Sequence, residues 1–311
     1  MTHPHFLVTG GAGFIGSHLV ERLVRDELGS VSALDNLHRG SITRLAECRN
    51  RIRFIPADVR DEVALRAAML AVDVVFHLAA QSNVLGAEYD SDYAVSTNVL
   101  GTINVLRAAL AAGVRRVIFS SSREVYGDPD VLPVPETAPM RPKNSYGASK
   151  VAGEAYCRAF QQAGLEIAVL RFANVYGPRD SDRVIPIFLR NSQEGEPLVV
   201  YGGSQVVDFV WVADAVESLV RAARVPPVTE PINVGSGLGI SVLDLAKTIL
   251  SITGSHSALQ ILPARSLETC GFVADTRRMQ TQLGLASCNG LADRLAELFH
   301  LWSSETLERN T

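Results

Sequence analysis

The first 170 residues alternate short β-branched runs with longer amphipathic runs, and no other feature of the chain restricts its possible folds as strongly. The short runs are apolar on both faces, as strands are when helices cover both sides of their sheet. These predicted strands are His5–Thr9, Val31–Asp35, Arg53–Ala57, Val74–Leu78, Arg116–Ser121 and Ile167–Phe172. The predicted helices between them are Gly16–Arg25, Glu62–Leu70, Ser96–Ala111 and Ser145–Gln162. The alternation predicts an α/β fold with a doubly wound parallel sheet.

After about Phe172 the pattern becomes looser and indicates a second, smaller α+β lobe. Chains of this length commonly divide into two lobes. Prolines punctuate shorter elements here, at Pro178, Pro186, Pro197, Pro226 and Pro227. Further helices are predicted at Ala213–Arg224, Val242–Ser251 and Leu291–Leu301. We place the first lobe at residues 1–171 and the second at 172–311, with a segment near 204–236, including the strand Ile232–Val234, returning to the main sheet.

Composition restricts the partners and the compartment. Lys and Arg total 29 against 33 Asp and Glu, a net charge of −4, whereas nucleic-acid-binding proteins normally carry a strongly basic face. The cysteines lie far apart without a Cys-x-x-C pair, which favours a reducing compartment and no metal site; they are Cys48, Cys157, Cys270 and Cys288. No signal peptide and no stretch of ~20 apolar residues free of charge and glycine is evident. We expect a cytoplasmic protein with no nucleic-acid or membrane partner.

A glycine-rich turn, Thr-Gly-Gly-Ala-Gly-Phe-Ile-Gly at residues 9–16, closes the first strand and opens the first helix. Such glycines let backbone N–H groups approach a pyrophosphate at the positive end of a helix. Asp35 ends the next strand, 19 residues after Gly16, where a carboxylate binds the hydroxyls of the adenosine ribose and repels a 2′-phosphate. The combination favours NAD over NADP, with Arg39 nearby as a reservation. A glycine turn without a ligand is the alternative.

Tyr146 and Lys150 lie four residues apart on a predicted helix and therefore share a face. Next to that ammonium and a positively charged nicotinamide, the pKa of Tyr146 should fall below its usual ~10, so that the phenol can act as a base near neutral pH. Ser120, Ser121 and Ser122 end the fifth strand, at the edge where ligands of such sheets bind. Because side chains alternate along a strand, Ser120 and Ser122 share one face and Ser121 the other. Either Ser122 or Ser121 could relay the proton.

These motifs stand in the order found in extended short-chain dehydrogenases/reductases of the NAD-dependent epimerase/dehydratase family, which the chain resembles from about Phe6 to Leu285. The remaining motifs are Asp58-Val59, His77-Leu78-Ala79-Ala80, Asn98-Val-Leu-Gly101-Thr, Ser-Ser-Ser-x-x-Val-Tyr-Gly at 120–127 and Arg171-Phe-Ala-Asn174. Within that family the chain looks like the UDP-sugar 4-epimerases. The resemblance implies an NAD-binding Rossmann domain followed by a nucleotide-sugar domain. It also implies a homodimer formed through the helices around Ser96–Ala111 and Ser145–Gln162.

The resemblance further assigns roles to single residues. Asp58 and Val59 would hold the adenine, and Asn98 would orient the cofactor. The residues implied to contact NAD are Gly10, Gly13, Phe14, Ile15, Gly16, Asp35, Asn36, Arg39, Gly40, Asp58, Val59, Leu78, Ala79, Ala80, Asn98, Ser120, Tyr146, Lys150 and Phe172. Those implied to contact the UDP-sugar are Gln81, Ser82, Asn174, Val199, Tyr201, Arg265 and Phe272.

Three positions depart from the family's pattern. Val207 stands where an arginine before Asp208 commonly contacts phosphate. Arg123-Glu124 stands where the related 4,6-dehydratases carry Asp-Glu, and the loss of that acid disfavours dehydration. Phe272 occupies a position that helps decide whether an N-acetyl group fits, and its bulky ring favours plain hexoses.

The expected reaction is C4-epimerisation of a UDP-sugar through a 4-keto sugar, with enzyme-bound NAD. The run 171–179 resembles the branch found in bacterial surface-polysaccharide synthesis, which often handles N-acetylhexosamines. We therefore favour UDP-N-acetylglucosamine and UDP-N-acetylgalactosamine, with UDP-glucose and UDP-galactose next. A UDP-glucuronate decarboxylase or a nucleotide-sugar dehydratase stays open because of Glu124. A non-catalytic NAD-sensing protein is the other alternative.

Overall fold

Seven parallel strands form the main sheet in the described part of the chain, which comprises residues 3–267, 269–286 and 290–309 of a computed structural model. In chain order the strands are β1 (His5–Thr9), β2 (Ser30–Asp35), β3 (Arg53–Pro56), β4 (Val74–His77), β5 (Arg116–Ser122), β6 (Glu166–Phe172), β7 (Asn174–Tyr176), β8 (Leu198–Tyr201), β9 (Val206–Trp211), β10 (Ile232–Val234), β11 (Gly239–Ser241), β12 (Leu259–Leu262) and β13 (Gly271–Phe272). The sheet order is β10-β6-β5-β4-β1-β2-β3, and every neighbouring pair is parallel. All six strands predicted from the sequence are present to within one residue at either end.

Helices cover both faces of this sheet. They are α1 (Phe14–Arg25), α2 (Glu62–Ala68), α3 (Val84–Tyr89), α4 (Ser91–Val95), α5 (Gly101–Ala112), α6 (Ser145–Gln162), α7 (Val184–Glu194), α8 (Val212–Arg224), α9 (Val242–Thr253), α10 (Arg277–Leu283) and α11 (Leu291–Arg309). Phe6 and Val8 of β1 pack in one core with α1 and α8, whereas Leu7 between them packs in the other with α2, α5 and α6. Because alternate strand residues enter opposite cores, both faces must be apolar. The doubly wound α/β fold is thus confirmed.

The helix predicted over Ser96–Ala111 begins earlier and is not regular. The chain turns helical at α4, widens into a single π-helical turn over Ser96–Leu100 and continues as α5. Such turns often occur at functional sites. Within the stretch Ser91–Ala112, an 18-residue window with a mean hydropathy of 1.2 is apolar and long enough to cross a membrane, but half of that window is buried in the protein, as in a core helix.

Strand β9 is the central strand of a second, smaller sheet, in the second lobe. It pairs in parallel with β7 and β13 and antiparallel with β11, while β8 and β12 form a separate parallel pair. Of the segment near 204–236, only β10 joins the main sheet, where it lies beside β6. The core of this lobe includes Phe188, Phe209, Trp211 and Leu245. The two lobes meet at the carboxyl ends of β1, β4, β5 and β6, the edge where sheets of this type bind ligands.

The thiols of Cys48, Cys157 and Cys270 are free, and Cys288 lies outside the described residues. Within the described ranges, no group of three or more His, Cys, Asp or Glu side chains is placed to hold a metal ion.

Candidate functional site

A cavity of about 1110 Å³ lies between the two lobes, along the carboxyl edge of the main sheet. Its volume exceeds that of most single small-molecule sites. The cavity is lined by the glycine turn, by the carboxyl ends of β4 and β5, and by the loop before α7. The cavity is therefore large enough for two ligands side by side.

The glycine turn is shaped by close backbone contacts. Gly10 has φ of +72°, a left-handed conformation that favours glycine, and its N–H donates to Leu34 O at 2.8 Å. A Cβ on Gly16 would lie 2.0 Å from Gly10 O, and a Cβ on Gly10 would lie 2.8 Å from Ala79 N. The turn therefore brings the N-terminal N–H groups of α1 to the cavity without a side chain in front of them.

Asp35 lies at the end of β2 beside this turn. Its carboxylate accepts hydrogen bonds from Ala12 N at 3.0 Å and Leu37 N at 2.8 Å. Burial raises the pKa of Asp35, and the two backbone donors oppose that shift. Gly40 approaches closely, since a Cβ there would lie 2.7 Å from Asp35 Oδ1. The carboxylate is thus held rigidly at the cavity wall.

Tyr146 and Ser122 both line the cavity, and the Ser122 hydroxyl lies close enough to lower the pKa of the Tyr146 phenol against the rise that burial causes. Tyr146 is in the first turn of α6, and Ser122 ends β5. Ser122 Oγ also accepts from Glu124 N at 3.2 Å, which fixes its rotamer. Ser121 points the other way, as the alternation along a strand predicts, and donates to Glu154 Oε1 at 2.5 Å. Of these two serines, Ser122 is therefore the one whose hydroxyl lies beside Tyr146.

Lys150 lies one helical turn after Tyr146 and is 4% exposed. Its ammonium donates to Ser120 O at 2.7 Å and lies 5.8 Å from the centre of the Tyr146 ring. Burial lowers the pKa of Lys150 to about 8. Removal from water likewise raises the pKa of Tyr146 to about 12, although the nearby Ser122 hydroxyl opposes that shift. The lowered pKa predicted for Tyr146 rests on the positive charge of a bound nicotinamide as well as on Lys150, and it stays a prediction.

A buried ion pair lies behind the serines. Arg171 Nη2 contacts Glu154 Oε2 at 2.6 Å, and their side chains are 4% and 6% exposed. Arg171 also donates to the Tyr126 hydroxyl at 2.8 Å, and that hydroxyl donates to Asn233 Oδ1 at 2.7 Å. Burial of an ion pair is tolerated only when further hydrogen bonds satisfy it, as these do. The network ties β5, β6, β10 and α6 together beneath the site.

Arg123 and Glu124 line the cavity directly after Ser122. Arg123 Nη2 lies 2.8 Å from Glu124 Oε1, and Arg123 Nε donates to Asn174 Oδ1 at 2.7 Å. The other oxygen of Glu124 accepts from Asn144 Nδ2 at 2.8 Å. Both oxygens of this buried carboxylate are therefore occupied by donors of the protein.

Most of the predicted site residues line this cavity, and four do not: Asp58, Gln81, Asn98 and Phe272. Asp58 instead pairs with Arg60 and accepts from Asn36, contacts that hold the pKa of its carboxyl at about 2. Asn98 is buried in the π-helical turn and hydrogen bonds to the backbone N–H and carbonyl of Gln81. Asn98 therefore positions the loop after β4 and does not reach into the cavity.

The prediction that Phe272 limits the size of the sugar is wrong. Phe272 is 1% exposed and stacks on Tyr126, with ring centres 5.8 Å apart. It lies in the core beneath the cavity and offers no surface to a ligand there. Tyr201 and Arg265, in contrast, line the cavity, with the guanidinium 3.5 Å from the centre of the ring.

The sequence did not identify the loop before α7 as part of the cavity wall. Arg179, Asp180, Asp182 and Arg183 all line the cavity, and Asp182 forms an ion pair with Arg39 across the two lobes. The dense run of charges after Pro178 was the available signal. Thr97 also lines the cavity, and its buried hydroxyl has no hydrogen-bond partner among the residues that the structure describes.

Comparison with known proteins gives relatives over nearly the whole chain. A UDP-glucose 4-epimerase of Mycolicibacterium smegmatis is 34% identical over 310 residues, covering 96% of this chain and 99% of that protein. A UDP-N-acetyl-α-D-glucosaminuronate decarboxylase of Bacillus cytotoxicus is 37% identical over 279 residues, covering 86% of this chain and 85% of its own. Relatives of different activity are thus comparably similar.

Solved structures give the same result. UDP-glucose 4-epimerase of Thermotoga maritima, with UDP-glucose, superimposes with a TM-score of 0.92 at 32% identity and covers 97% of this chain and 99% of its own. A dTDP-glucose 4,6-dehydratase of Streptomyces venezuelae, with NAD bound, has a TM-score of 0.92 at 31% identity and covers 96% and 97%. A Thermus thermophilus UDP-glucose 4-epimerase, also with NAD, has a TM-score of 0.88 at 31% identity and covers 95% and 98%.

The family model described as the NAD dependent epimerase/dehydratase family matches residues 6–235. That range includes the glycine turn, Asp35, the serines and the Tyr146/Lys150 pair, all of which the structure brings to one cavity. The chain therefore belongs to the NAD-dependent epimerase/dehydratase family and is an NAD-dependent enzyme.

Proposed function

We propose that the protein is a UDP-sugar C4-epimerase, with UDP-N-acetylglucosamine and UDP-N-acetylgalactosamine as its first candidate substrates and UDP-glucose and UDP-galactose as the second. The observation that carries the proposal is the convergence of Tyr146, Ser122 and Lys150 on one cavity that also contains the glycine turn, with the Lys150 ammonium 5.8 Å from the centre of the Tyr146 ring. A base with a relay hydroxyl is what removal of a proton from a sugar hydroxyl requires.

The cofactor would occupy the glycine-turn side of the cavity. The open N-terminus of α1 suits a pyrophosphate, and the Asp35 carboxylate suits the ribose hydroxyls. The Thr97 hydroxyl offers one more polar contact. The residues that would hold the cofactor include Gly10, Gly13, Phe14, Ile15, Gly16, Asp35, Asn36, Gly40, Val59, Leu78, Ala79, Ala80, Ser120, Lys150 and Phe172.

Tyr146 and Ser122 would move the proton. The phenolate takes the proton of the sugar 4-hydroxyl through Ser122 Oγ, and the ammonium of Lys150 stabilises the charged ring from 5.8 Å. NAD, when bound, supplies the hydride acceptor for C4 and the positive charge that brings the pKa of Tyr146 toward neutrality. The nucleotide would be anchored by Asn174, Val199, Tyr201 and Arg265, so that the 4-keto sugar can turn and take the hydrogen on its other face.

The choice of sugar rests on the motif at 171–179, because Phe272 is buried away from the cavity. The bulk of Phe272 is therefore no longer an argument for plain hexoses as substrates. Ser82, which also lines the cavity, stays a candidate for contacting the sugar, and Gln81 would act only through its backbone. Val207 presents an apolar surface, so Arg265 is the side chain we assign to the diphosphate.

Glu124 keeps a decarboxylase or dehydratase as the second candidate, since it places a carboxyl group near the reacting sugar. Against this reaction, Arg123 and Asn144 occupy both of its oxygens, so the carboxyl group is engaged by the protein and not directed at a ligand. Epimerisation needs no further acid. The site therefore favours epimerisation.

Product mass separates these reactions. We expect incubation with UDP-N-acetylglucosamine to give a chromatographically distinct product of unchanged mass. Loss of carbon dioxide from UDP-glucuronate, or of water from any UDP-sugar in a panel, would favour the second candidate. Bound NAD without conversion of any UDP-sugar would instead favour a non-catalytic NAD-sensing protein.

We also propose a cytoplasmic homodimer. Large apolar side chains are exposed along α3, α4, the π-helical turn and α6, with Tyr89 96%, Val95 50%, Leu100 52% and Tyr156 42% exposed. The first three of these elements pack against α6, and exposed apolar side chains on neighbouring helices often mark a surface that meets a partner. Pairing of the same helices across a two-fold axis would cover it.

A further inference from the structure

The two arginines near Asp35 are both engaged by other groups. Arg39 lines the cavity next to Gly40, and its Nη1 donates to Ser82 Oγ at 3.0 Å while its Nη2 pairs with Asp182. Arg44 donates from both terminal nitrogens to backbone carbonyls, Arg39 O at 3.3 Å and Arg179 O at 3.4 Å. Neither guanidinium forms an ion pair with Asp35, although the charge of Arg44 lies near enough to lower the pKa of that carboxyl against the rise that burial causes.

The Arg39 guanidinium is held by one side chain from each lobe. Ser82 follows β4, and Asp182 belongs to the loop between β7 and α7. Both terminal nitrogens of Arg39 are thus engaged by these two side chains, and neither pairs with Asp35.

The chemistry of dinucleotide selection depends on the part of the cavity near Asp35. A carboxylate at the position of Asp35 binds the ribose 2′-hydroxyl, whereas an arginine close by accommodates a 2′-phosphate by forking onto its oxygens. Arg39 is within four residues of Asp35 and has the reach for that contact. While Asp182 binds Arg39, the guanidinium is kept from a 2′-phosphate. Once released, it could reach that phosphate.

We propose that Asp182 is a specificity-determining residue for the cofactor: by holding Arg39 against Ser82, it keeps the guanidinium from a 2′-phosphate and makes the protein select NAD over NADP. Asp35 alone repels the phosphate, and the Asp182–Arg39 pair withholds the cation that would cancel this repulsion. The side chains of the pair are 34% and 42% exposed, so the effect of one carboxylate is moderate.

The test measures which dinucleotide the protein retains. Purified protein is dialysed to equilibrium against equal concentrations of NAD and NADP, and the bound dinucleotides are released by denaturation and quantified by chromatography. We expect Asp182→Asn to raise the bound NADP:NAD ratio about fivefold, and Asp182→Glu to leave it within twofold of the wild type. Arg39→Gln alone should not change the ratio, whereas Arg39→Gln in the Asp182→Asn background should remove the gain. Asp244→Asn, which removes an exposed pair with Lys247 outside the cavity, is the matched control.

Three results would overturn the proposal. The first is an NADP:NAD ratio within twofold of the wild type in Asp182→Asn, including equal weakening of both dinucleotides, since the pair would then only close the lobes. The second is a gain that persists without Arg39. The third is a lowered ratio in Arg39→Gln alone, because Arg39 would then already contact the 2′-phosphate. Circular dichroism of each variant verifies folding, and Asp182→Ser replaces Asp182→Asn should the latter not fold.

Discussion

The hydroxyl of Ser122, at the end of β5, lies beside the phenol of Tyr146, in the first turn of α6, and lowers the pKa of that phenol against the rise that burial causes. Ser121, the next residue along the strand, points instead to Glu154 on the far side. Two adjacent serines, either of which the sequence allows as the proton relay, therefore have different environments. One faces the reacting groups, and the other belongs to the network around Arg171.

Replacing each serine should separate these roles. Ser122→Ala should lower kcat about 10²-fold, the usual contribution of a proton-transfer group, with little change in the free energy of unfolding. Ser121→Ala should leave kcat within about threefold and lower the free energy of unfolding by about 1 kcal/mol, because Glu154 loses a buried donor. Steady-state kinetics and urea unfolding measure both. Equal losses of kcat in the two variants would refute the assignment.

Gly13 should be needed for the cofactor and not for the fold. Its φ of −75° is open to any residue, and a Cβ there would meet only Gly10 O, at 3.1 Å. Gly13→Ala places a methyl group where the pyrophosphate would approach, so we expect NAD affinity to fall at least tenfold with a nearly unchanged Tm. Calorimetric titration measures the affinity, and Gly271→Ala, whose Cβ neighbours lie 3.6 Å or more away, is the control. Unaltered NAD binding in Gly13→Ala would exclude this placement of the cofactor.

His77 should make the protein sensitive to acid. Its ring is buried and hydrogen bonds to Thr9 and Thr102, and burial lowers its pKa from 6.5 to about 3. Below pH 6.5 the unfolded chain binds a proton that the folded protein does not, so the free energy of unfolding falls as the pH falls toward 3, by up to ~1.4 kcal/mol per pH unit. In His77→Gln this part of the slope should vanish, whereas the exposed His256→Gln should keep it. Urea unfolding between pH 7 and 4.5 measures the slope, and identical slopes in all three proteins would disprove the prediction.

The exposed helices should mediate dimerisation. Light scattering should give the wild type twice the chain mass of 33.5 kDa, and Leu100→Asp should shift it to the monomer because a carboxylate would be buried in an apolar contact. Val63→Asp changes an equally apolar, 77% exposed residue on α2 and should leave the dimer intact. A monomeric wild type, or equal dissociation by both variants, would contradict the proposed interface.

The main sheet could be predicted because its strands are buried on both faces. Burial on both faces gives each strand a run of apolar residues that is visible in its own short sequence. Likewise, the glycine turn and the Tyr146/Lys150 pair are local in sequence, so their spacing alone predicts their geometry. The π-helical turn at 96–100 could not be predicted, since it depends on Asn98 bonding to the backbone of Gln81. No local propensity encodes such a contact.

The direction of side chains in the second lobe could not be predicted from the sequence. Phe272 and Tyr201 are both aromatic residues of short strands, yet one packs under the cavity and the other lines it. The pKa of Tyr146 depends on how much water the two lobes exclude together. The Arg39–Asp182 pair joins residues 143 positions apart, beyond the range of any motif.

The central claim is that Tyr146 carries the proton of a UDP-sugar 4-hydroxyl, and the most direct test is the turnover of Tyr146→Phe with UDP-N-acetylglucosamine, saturated with NAD. Removal of the phenolic hydroxyl should lower kcat by about 10²–10⁴-fold with the bound NAD unchanged. Turnover within about tenfold of the wild type would contradict the account, because the proton would then have another acceptor.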